Sequence, residues 1–213
     1  MTVFQTPAAI TVDAEVLSGT LTVIASDRND TVVDIRPSDA SKKADVRAAE
    51  QIKVDFTDGV LTVNTPKNWR NHSPFSGTPT VEVRIEVPTG SALKAVGGVG
   101  HLLGLGALGV VDMEIASGDI IVERPLGSVT AKAAQGDIRI VEAARGVMQL
   151  ETSVGELEVG IRPGSAVRVE TNTPHGSVHN QLSSVAPSET GDSVQVFARN
   201  SFGNIIIGHA AAV

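Results

Sequence analysis

The pattern of hydrophobic and polar positions predicts a protein built from short β-strands. In the first 90 residues apolar and polar residues alternate over six segments, at 8–16, 19–26, 30–37, 53–58, 60–66 and 80–88. A period of two is typical of a strand with one buried face. Turn signals lie between the segments, among them Ser18-Gly19 and Asp58-Gly59. The N-terminal region is therefore predicted to be strand-rich.

One segment has a different period and predicts a short helix. Residues 38–52, SDASKKADVRAAEQI, are rich in Ala, Lys and Glu, which favour helices. Ser38 or Asp39 is the predicted N-cap, because both side chains accept hydrogen bonds from the first helical amides. Three alanines would share one side of this helix: Ala44, Ala48 and Ala49.

From about residue 91 two series of glycines recur every eighteen or nineteen residues. The first series is Gly100, Gly118, Gly136, Gly155 and, after a longer gap, Gly176. The second series is Gly109, Gly127, Gly146 and Gly164. A fixed period of this length indicates a stacked repeat. Each coil is predicted to hold two short strands, with the glycines at corners that need positive φ.

Alignment on the two series predicts a layered core. The inward positions after the first series are Ile120, Val122, Ile138, Ile140, Leu157 and Val159. Those after the second are Val111, Met113, Val129, Ala131, Met148 and Leu150. The coil is too short for a propeller blade and lacks a helical period. The prediction is an all-β, β-solenoid or β-helix-like stack with neighbouring rungs about 4.8 Å apart, of either handedness.

Three regions follow from these patterns. Residues 1–90 form the strand-rich N-terminal region, with the helix near 39–51. The coils occupy 91–182, and 183–213 supply two capping strands. A cap is expected because the open end of a stack exposes unpaired backbone to other chains.

Composition and charge exclude several classes of function. The 213 residues carry 24 acidic and 17 basic side chains, a formal net charge of −7, which disfavours nucleic-acid binding. No cysteine is present, which excludes disulfides, thiol catalysis and cysteine-ligated zinc. The chain shows no leader-like start and no apolar run of membrane-spanning length. We therefore predict a cytoplasmic protein without direct membrane insertion.

One set of acids is aligned by the repeat. Asp119, Asp137 and Glu156 each follow a corner glycine and would lie one above another in a stack. Stacked carboxylates are a possible calcium site. The alternative is turn chemistry, since Asp after Gly is favourable at a solvated turn. The sequence leaves this choice open.

Catalytic signatures are weak. No G-x-S-x-G elbow occurs, and Pro174 and Gly176 rule out the helix that would bring His175 and His179 to one zinc ion. The glycine run at 96–106 lacks the Lys-Ser/Thr ending of a phosphate loop. Outward acids are interleaved with basic residues, so no carboxylate pair stands out. We predict no catalytic residue, no cofactor and no metal ligand set, and hence no enzyme.

One segment breaks the strand pattern. Residues 66–79, PKNWRNHSPFSGTP, contain the chain's one tryptophan in a stretch rich in proline. Its candidate partner contacts are Trp69, Arg70, His72 and Phe75. Exposed Trp and Arg are typical interface anchors. In the alternative interpretation, Trp69 and Phe75 fold back to cover the end of the stack.

The repeat units resemble a known bacterial family. SGDIIVE, QGDIRIV and VGELEVG, together with the terminal SFGNIII, are similar to the β-strand-repeat proteins called "putative adhesin", domain of unknown function 4097. The stretch IASDRNDTVVDIRPSDASKKADVRAAEQIKVDF and the loop PKNWRNHSPF resemble its actinobacterial members. The resemblance implies a solenoid-like stack with no established enzymatic activity and no catalytic residues to transfer. It also implies a link to the cell envelope, with which some relatives are associated.

These observations together predict a non-enzymatic β-repeat scaffold or interaction protein. Its expected partners are another protein or further copies of itself, as a dimer or higher assembly, because parallel stacks join through uncapped ends. The competing hypothesis is a carbohydrate-binding or carbohydrate-active β-helix protein. That function needs a groove with aromatic platforms and convergent acids, and aromatic residues make up just 3% of the chain.

Overall fold

The chain is an all-β protein with one short helix, as its hydrophobic pattern predicts. The computed structural model describes residues 1–66, 78–182 and 192–210. In chain order their elements are β1 (Thr2–Gln5), β2 (Thr11–Ser26), β3 (Asp30–Pro37), α1 (Lys43–Gln51), β4 (Lys53–Thr57), β5 (Val60–Asn64), β6 (Val81–Pro88), β7 (Ala92–Gly106), β8 (Val111–Val122), β9 (Val129–Gln135), β10 (Ile138–Ala143), β11 (Gly146–Val154), β12 (Leu157–Ile161), β13 (Ala166–Asn172), β14 (Val178–Asn180), β15 (Ser193–Phe202) and β16 (Ile205–His209).

The strands form one large sheet with two branches. The long strands β2, β7 and β8 run through both branches and pair with one another in parallel. Branch A, built on their first halves, has the order β4-β5-β2-β7-β8-β9-β11-β15-β13. Branch B, built on their second halves, has the order β1-β3-β6-β2-β7-β8-β10-β12-β16-β14. The glycine period equals the number of residues between paired positions, since Val111 lies opposite Val129 and Ile120 opposite Ile138.

Alternate residues of both branches fill a single hydrophobic core. All of the inward positions predicted from the two glycine series are buried, with at most 1% of each residue exposed. The apolar face of β6 is buried as well, through Val81, Val83, Ile85 and Val87. These residues belong to one continuous cluster that extends from the N-terminal strands to β16. The predicted core is confirmed. It could be predicted because its positions follow directly from strand alternation and the glycine period.

The two C-terminal strands lie inside the stack, and the prediction that they cap it is wrong. β15 pairs with β11 on one side and β13 on the other, and β16 pairs likewise with β12 and β14. The end of the stack is therefore formed by β13 and β14. The reason lies in the side chains at matching positions: Ile205 and Ile207 of β16 lie opposite Val178 and Asn180 of β14. The interior position goes to the strands with more apolar surface to remove from water.

The N-terminal end has a different construction. β3 pairs antiparallel with β1 and β6, and β4 forms an antiparallel hairpin with β5. The predicted Asp58-Gly59 turn joins this hairpin, and both residues have positive φ, at 50° and 77°. Helix α1 packs against β3 and β6. At this end the parallel repeat is therefore flanked by antiparallel strands and a helix.

The helix begins later than the capping residues predict. It starts at Lys43 after an uncapped Lys42, because Asp39 instead accepts hydrogen bonds from the Ser41 amide at 2.9 Å and the Ser41 hydroxyl at 2.6 Å. These bonds lower the pKa of Asp39, with the hydroxyl contributing most. The prediction of Ser38 or Asp39 as N-cap is therefore wrong. The Asp39 carboxylate, which a cap would use as its acceptor, bonds Ser41 in a local turn instead.

A buried carboxylate attaches the helix to the sheet. Asp45 is only 3% exposed, and its two oxygens accept hydrogen bonds from the Thr80 amide at 3.1 Å and the Thr80 hydroxyl at 3.3 Å. Thr80 lies immediately before β6. Of the three predicted inward alanines, Ala48 is buried and Ala44 and Ala49 are half-buried. Sequence reasoning missed Asp45, because its partner lies 35 residues away.

No helix in the described ranges is both long and apolar enough to cross a membrane.

Candidate interaction surface

A column of glycines forms one corner of the stack. From the N-terminal end it contains Gly19, Gly100, Gly118, Gly136, Gly155, Gly203 and Gly176. All but Gly176 have φ between 128° and 148°. A Cβ added at Gly136 would lie 1.9 Å from the carbonyl oxygen of Gly118. Successive rungs therefore meet backbone to backbone, and no side chain fits between them.

The glycine column extends the predicted series in two ways. Gly19 is its first member, although Ser18-Gly19 predicts a turn between two strands, and β2 instead continues through this glycine. Gly203 lies between Gly155 and Gly176, because a Cβ on Gly203 would meet Gly155 and a Cβ on Gly176 would meet Gly203. The irregular gap before Gly176 thus reflects the strand inserted from the C-terminus.

Polar side chains follow the glycine column along one side. This acid column contains His101, Asp119, Asp137, Glu156, Asn204 and Ser177. Asp119 Oδ1 accepts the amide of Asp137 at 3.0 Å, and Asp137 Oδ1 accepts the amide of Glu156 at 2.7 Å. Asn204 Oδ1 accepts the amide of Ser177 at 3.2 Å. The side chains of Asp119, Asp137 and Asn204 therefore each link one rung to the next.

These hydrogen bonds favour turn chemistry for Asp119, Asp137 and Glu156 over a calcium site. Two of the three carboxylates each commit an oxygen to a backbone amide. Asn204 occupies the same kind of position without a charge, so a neutral amide oxygen satisfies the same geometry. Across the part of the chain that the structure describes, no three His, Asp or Glu side chains are grouped to hold a metal ion.

Three exposed apolar side chains and four polar ones follow the other side of the glycine column. This flank column contains Ser18, Val99, Ser117, Gln135, Val154, Phe202 and His175 in register. Val99, Val154 and Phe202 are 57%, 47% and 53% exposed. The Phe202 ring stacks on His175 with centroids 4.7 Å apart. We call the glycine column and its two flanks the corner surface.

The acid column borders a shallow groove. A depression of about 220 Å³ lies over Asp119, Asp137 and Glu156 and continues to Arg139 and Glu158. Arg139 Nε is 3.3 Å from Glu158 Oε2, and both side chains are largely exposed. The groove is lined by the carboxylates of Asp119, Asp137, Glu156 and Glu158 and by the guanidinium of Arg139, so it presents net negative charge beside apolar side chains.

Replacing Asp137 with alanine is expected to loosen this corner. The Glu156 amide would lose its acceptor, which costs about 1 kcal/mol for a hydrogen bond of this type. Chemical denaturation should show that loss as a lower midpoint. Asp137→Asn is the matched control, since it keeps the oxygen and should retain most of the stability, as Asn204 does in its own rung. Equal losses in both variants would show that charge, and not the hydrogen bond, matters.

A second charged surface lies on the outer side of β3 and β6. Arg28 donates to Asp30 at 2.8 Å and also to Glu86, which receives a further bond from Arg84 at 3.0 Å. Arg28 is the main cause that lowers the pKa of both Glu86 and Asp30, and Asp30 in turn raises the pKa of Arg28. These carboxylates stay ionised and paired at neutral pH. The network therefore ties the β2–β3 connection to β6.

The four residues predicted to contact a partner, Trp69, Arg70, His72 and Phe75, lie outside the described residues. The positions beside their segment are described: the Thr65 amide donates to the Glu15 carbonyl at 3.1 Å, and Val81 pairs with Gly19. The chain thus leaves the sheet beside Glu15 and rejoins it beside Gly19, the first member of the glycine column. The contact prediction for these residues stays a prediction.

The fold is shared with a solved bacterial structure. No family model and no curated protein sequence matches the chain. A structure described as a putative cell adhesion protein from Clostridium sporogenes is similar over 98% of each chain, with 14% identity and a TM-score of 0.54. This likeness shows that the chain shares the all-β fold of that structure.

Two further structures have lower TM-scores. A putative adhesin from Bacteroides fragilis has 13% identity and a TM-score of 0.44, over 97% of this chain and 95% of that one. A putative lipid binding protein from Parabacteroides distasonis has 11% identity and a TM-score of 0.36, over 99% of this chain and 94% of that one.

Proposed function

We propose that this chain is a non-enzymatic β-repeat scaffold that binds a protein partner through the corner surface and also associates with itself. The observation that carries the proposal is the corner surface, in which a side-chain-free glycine column separates the exposed neighbours Val154 and Phe202 from the acids Asp137 and Glu156. Exposed apolar groups bordered by polar ones are typical of protein interaction sites. A partner that fits would bring apolar side chains to Val154 and Phe202 and basic side chains to the acid column.

The chemistry of the corner surface supports binding over catalysis. Asp119 and Asp137 are held in place by backbone amides, and a general acid or base would need a convergent pair set across a cleft. The carbohydrate alternative needs free aromatic platforms. Among the described residues, the rings of Phe4 and Phe56 pack on each other with centroids 5.3 Å apart, and the exposed Phe202 ring is stacked on His175. We therefore favour a protein partner.

We further propose that the two branches form a β-solenoid and that the chain is a distant relative of the actinobacterial "putative adhesin" proteins. The strand pairing supports the solenoid, because successive strands pair in parallel from β2 to β13 in branch A and from β2 to β14 in branch B, with offsets of 18 or 19 residues between β7 and β12. The SGDIIVE-type phrases support the relationship, since they supply the corner glycine and the acid column in each rung.

A photo-crosslinking experiment tests the proposed partner binding. A photoreactive residue at Val154 should capture a specific protein in the native host, and Val154→Ser with Phe202→Ser should reduce binding of that protein by at least tenfold. Val110→Ser with Leu126→Ser is the matched control, because these residues are similarly exposed at 58% and 49% but lie at the second glycine series. Equal capture by both double variants would refute a binding role for the corner surface.

A further inference from the structure

The last strand of branch A, β13, has a free edge in the described structure. β13 pairs along one side with β15, and no other described strand pairs with it. Its side chains alternate between exposed and half-buried, because no further rung covers Val167 and Val169. Unpaired edges of this kind are sites of strand addition.

The backbone direction of this edge follows from one hydrogen bond. The Ala166 amide donates to the Asp192 carbonyl at 2.9 Å, so Ala166 faces β15. In a parallel strand the amide and carbonyl of one residue point to the same side, and the side alternates along the strand. Val167, Val169 and Thr171 therefore direct their amides and carbonyls to the free edge.

The sequence of β13 is complementary to itself in antiparallel register. With Val169 at the centre, Val169 lies opposite Val169 of a second copy, and Val167 lies opposite Thr171. The residues with free backbone groups thus meet as hydrogen-bonded pairs. Between them Arg168 lies opposite Glu170, and the same contact repeats across the two-fold axis. In this one register the free backbone groups form hydrogen bonds with each other, and each charged side chain lies opposite a residue of the other charge.

We propose that β13 pairs antiparallel with β13 of a second copy, forming a two-fold dimer centred on Val169. This inference rests on the self-association included in the proposed function and identifies its surface. The pairing would join the two edges by six backbone hydrogen bonds, two for each of the three facing pairs. It would also cover Val167 and Val169, and it closes after two copies because the contact is isologous.

The charges select this register. Arg168 and Glu170 already lie on one side of the strand, with Arg168 Nη2 2.8 Å from Glu170 Oε1 and side chains 74% and 51% exposed. In the dimer each faces the opposite charge in a non-hydrogen-bonded pair, where Cα atoms are about 4.5 Å apart. Opposite charges in such pairs stabilise an antiparallel sheet and like charges destabilise it.

Charge reversal measured by sedimentation equilibrium tests the dimer. The full chain should dimerise with concentration, and Arg168→Glu or Glu170→Arg alone should raise the dissociation constant at least tenfold. The double variant Arg168→Glu/Glu170→Arg should restore it, because the exchanged charges are again complementary. Lys53→Glu, on the edge strand β4 at the other end, is the matched control and should leave the constant unchanged.

Disulfide trapping provides a second test in a chain without cysteine. Arg168→Cys/Glu170→Cys should give an oxidised dimer, because facing Cα atoms in this pairing lie within disulfide range. Arg168→Cys alone should not, since its direct partner position is 170.

Three outcomes would overturn the proposal. These are a monomer at every concentration, a dimer insensitive to both charge reversals, and hydrogen exchange showing the Val167, Val169 and Thr171 amides protected in a monomer by residues 183–191. The corner-surface variant Val154→Ser/Phe202→Ser should leave the dimer intact, so failure of partner binding and failure of the dimer are separable.

Discussion

Alanine at Gly136 is expected to destabilise the protein by at least about 4 kcal/mol. Two costs combine at this position. A φ of 137° is a conformation that residues with a side chain rarely adopt, which costs about 1–3 kcal/mol. The new Cβ would also lie 1.9 Å from the Gly118 carbonyl oxygen and 2.5 Å from its carbon. Relief requires two rungs to move apart, which breaks their pairing.

The effect should be measured by chemical denaturation, with soluble yield as a second readout. A loss of this size is a large share of the roughly 5–15 kcal/mol by which domains are stable. Gly59→Ala is the matched control, because Gly59 has a φ of 77° but no atom lies within 4 Å of its added Cβ. It should lose about 1–2 kcal/mol. Similar losses at both positions would show that close approach of the rungs contributes nothing.

Removing the side chain of Ile138 is expected to have the next largest effect. Ile138 is fully buried in β10, and its register neighbours are Ile120 on one side and Leu157 on the other. Ile138→Ala should cost about 2–5 kcal/mol, because rungs on both sides hold the cavity open. Thermal and chemical denaturation at equal protein concentration would measure it.

Two controls define the cause of that loss. Ile138→Val removes a single methylene and should cost about 0.5–1.5 kcal/mol. Val154→Ala changes a residue that is 47% exposed in β11 and should cost much less than Ile138→Ala. An Ile138→Ala variant as stable as the wild type would contradict a continuous, tightly packed core between the branches.

Much of the fold was predictable because the repeat is local. Strand alternation identified the faces of β6, and the glycine period identified the inward residues of β8 to β12. Each depends on spacing within a few residues or on a fixed offset between rungs. The acid column was predictable for the same reason, since Asp119 and Asp137 share a position after a corner glycine.

Other features depend on long-range contacts that spacing does not reveal. Asp45 is buried because Thr80, 35 residues away, supplies both of its hydrogen bonds. Asp39 appears suited to an N-cap but bonds Ser41 instead. The flank column was also missed, because Val99, Val154 and Phe202 become neighbours of one surface only when the rungs are in register.

The amino-acid sequence by itself determined that this protein is built of strands, where its corners lie and which side chains enter the core. These properties follow from the alternation of side chains along a strand and from glycine's access to positive φ. The tertiary structure decided the order of the rungs. Every rung offers similar edges, so the apolar side chains of the strands settle the choice: β15 and β16 lie within the stack and leave β13 with its edge free.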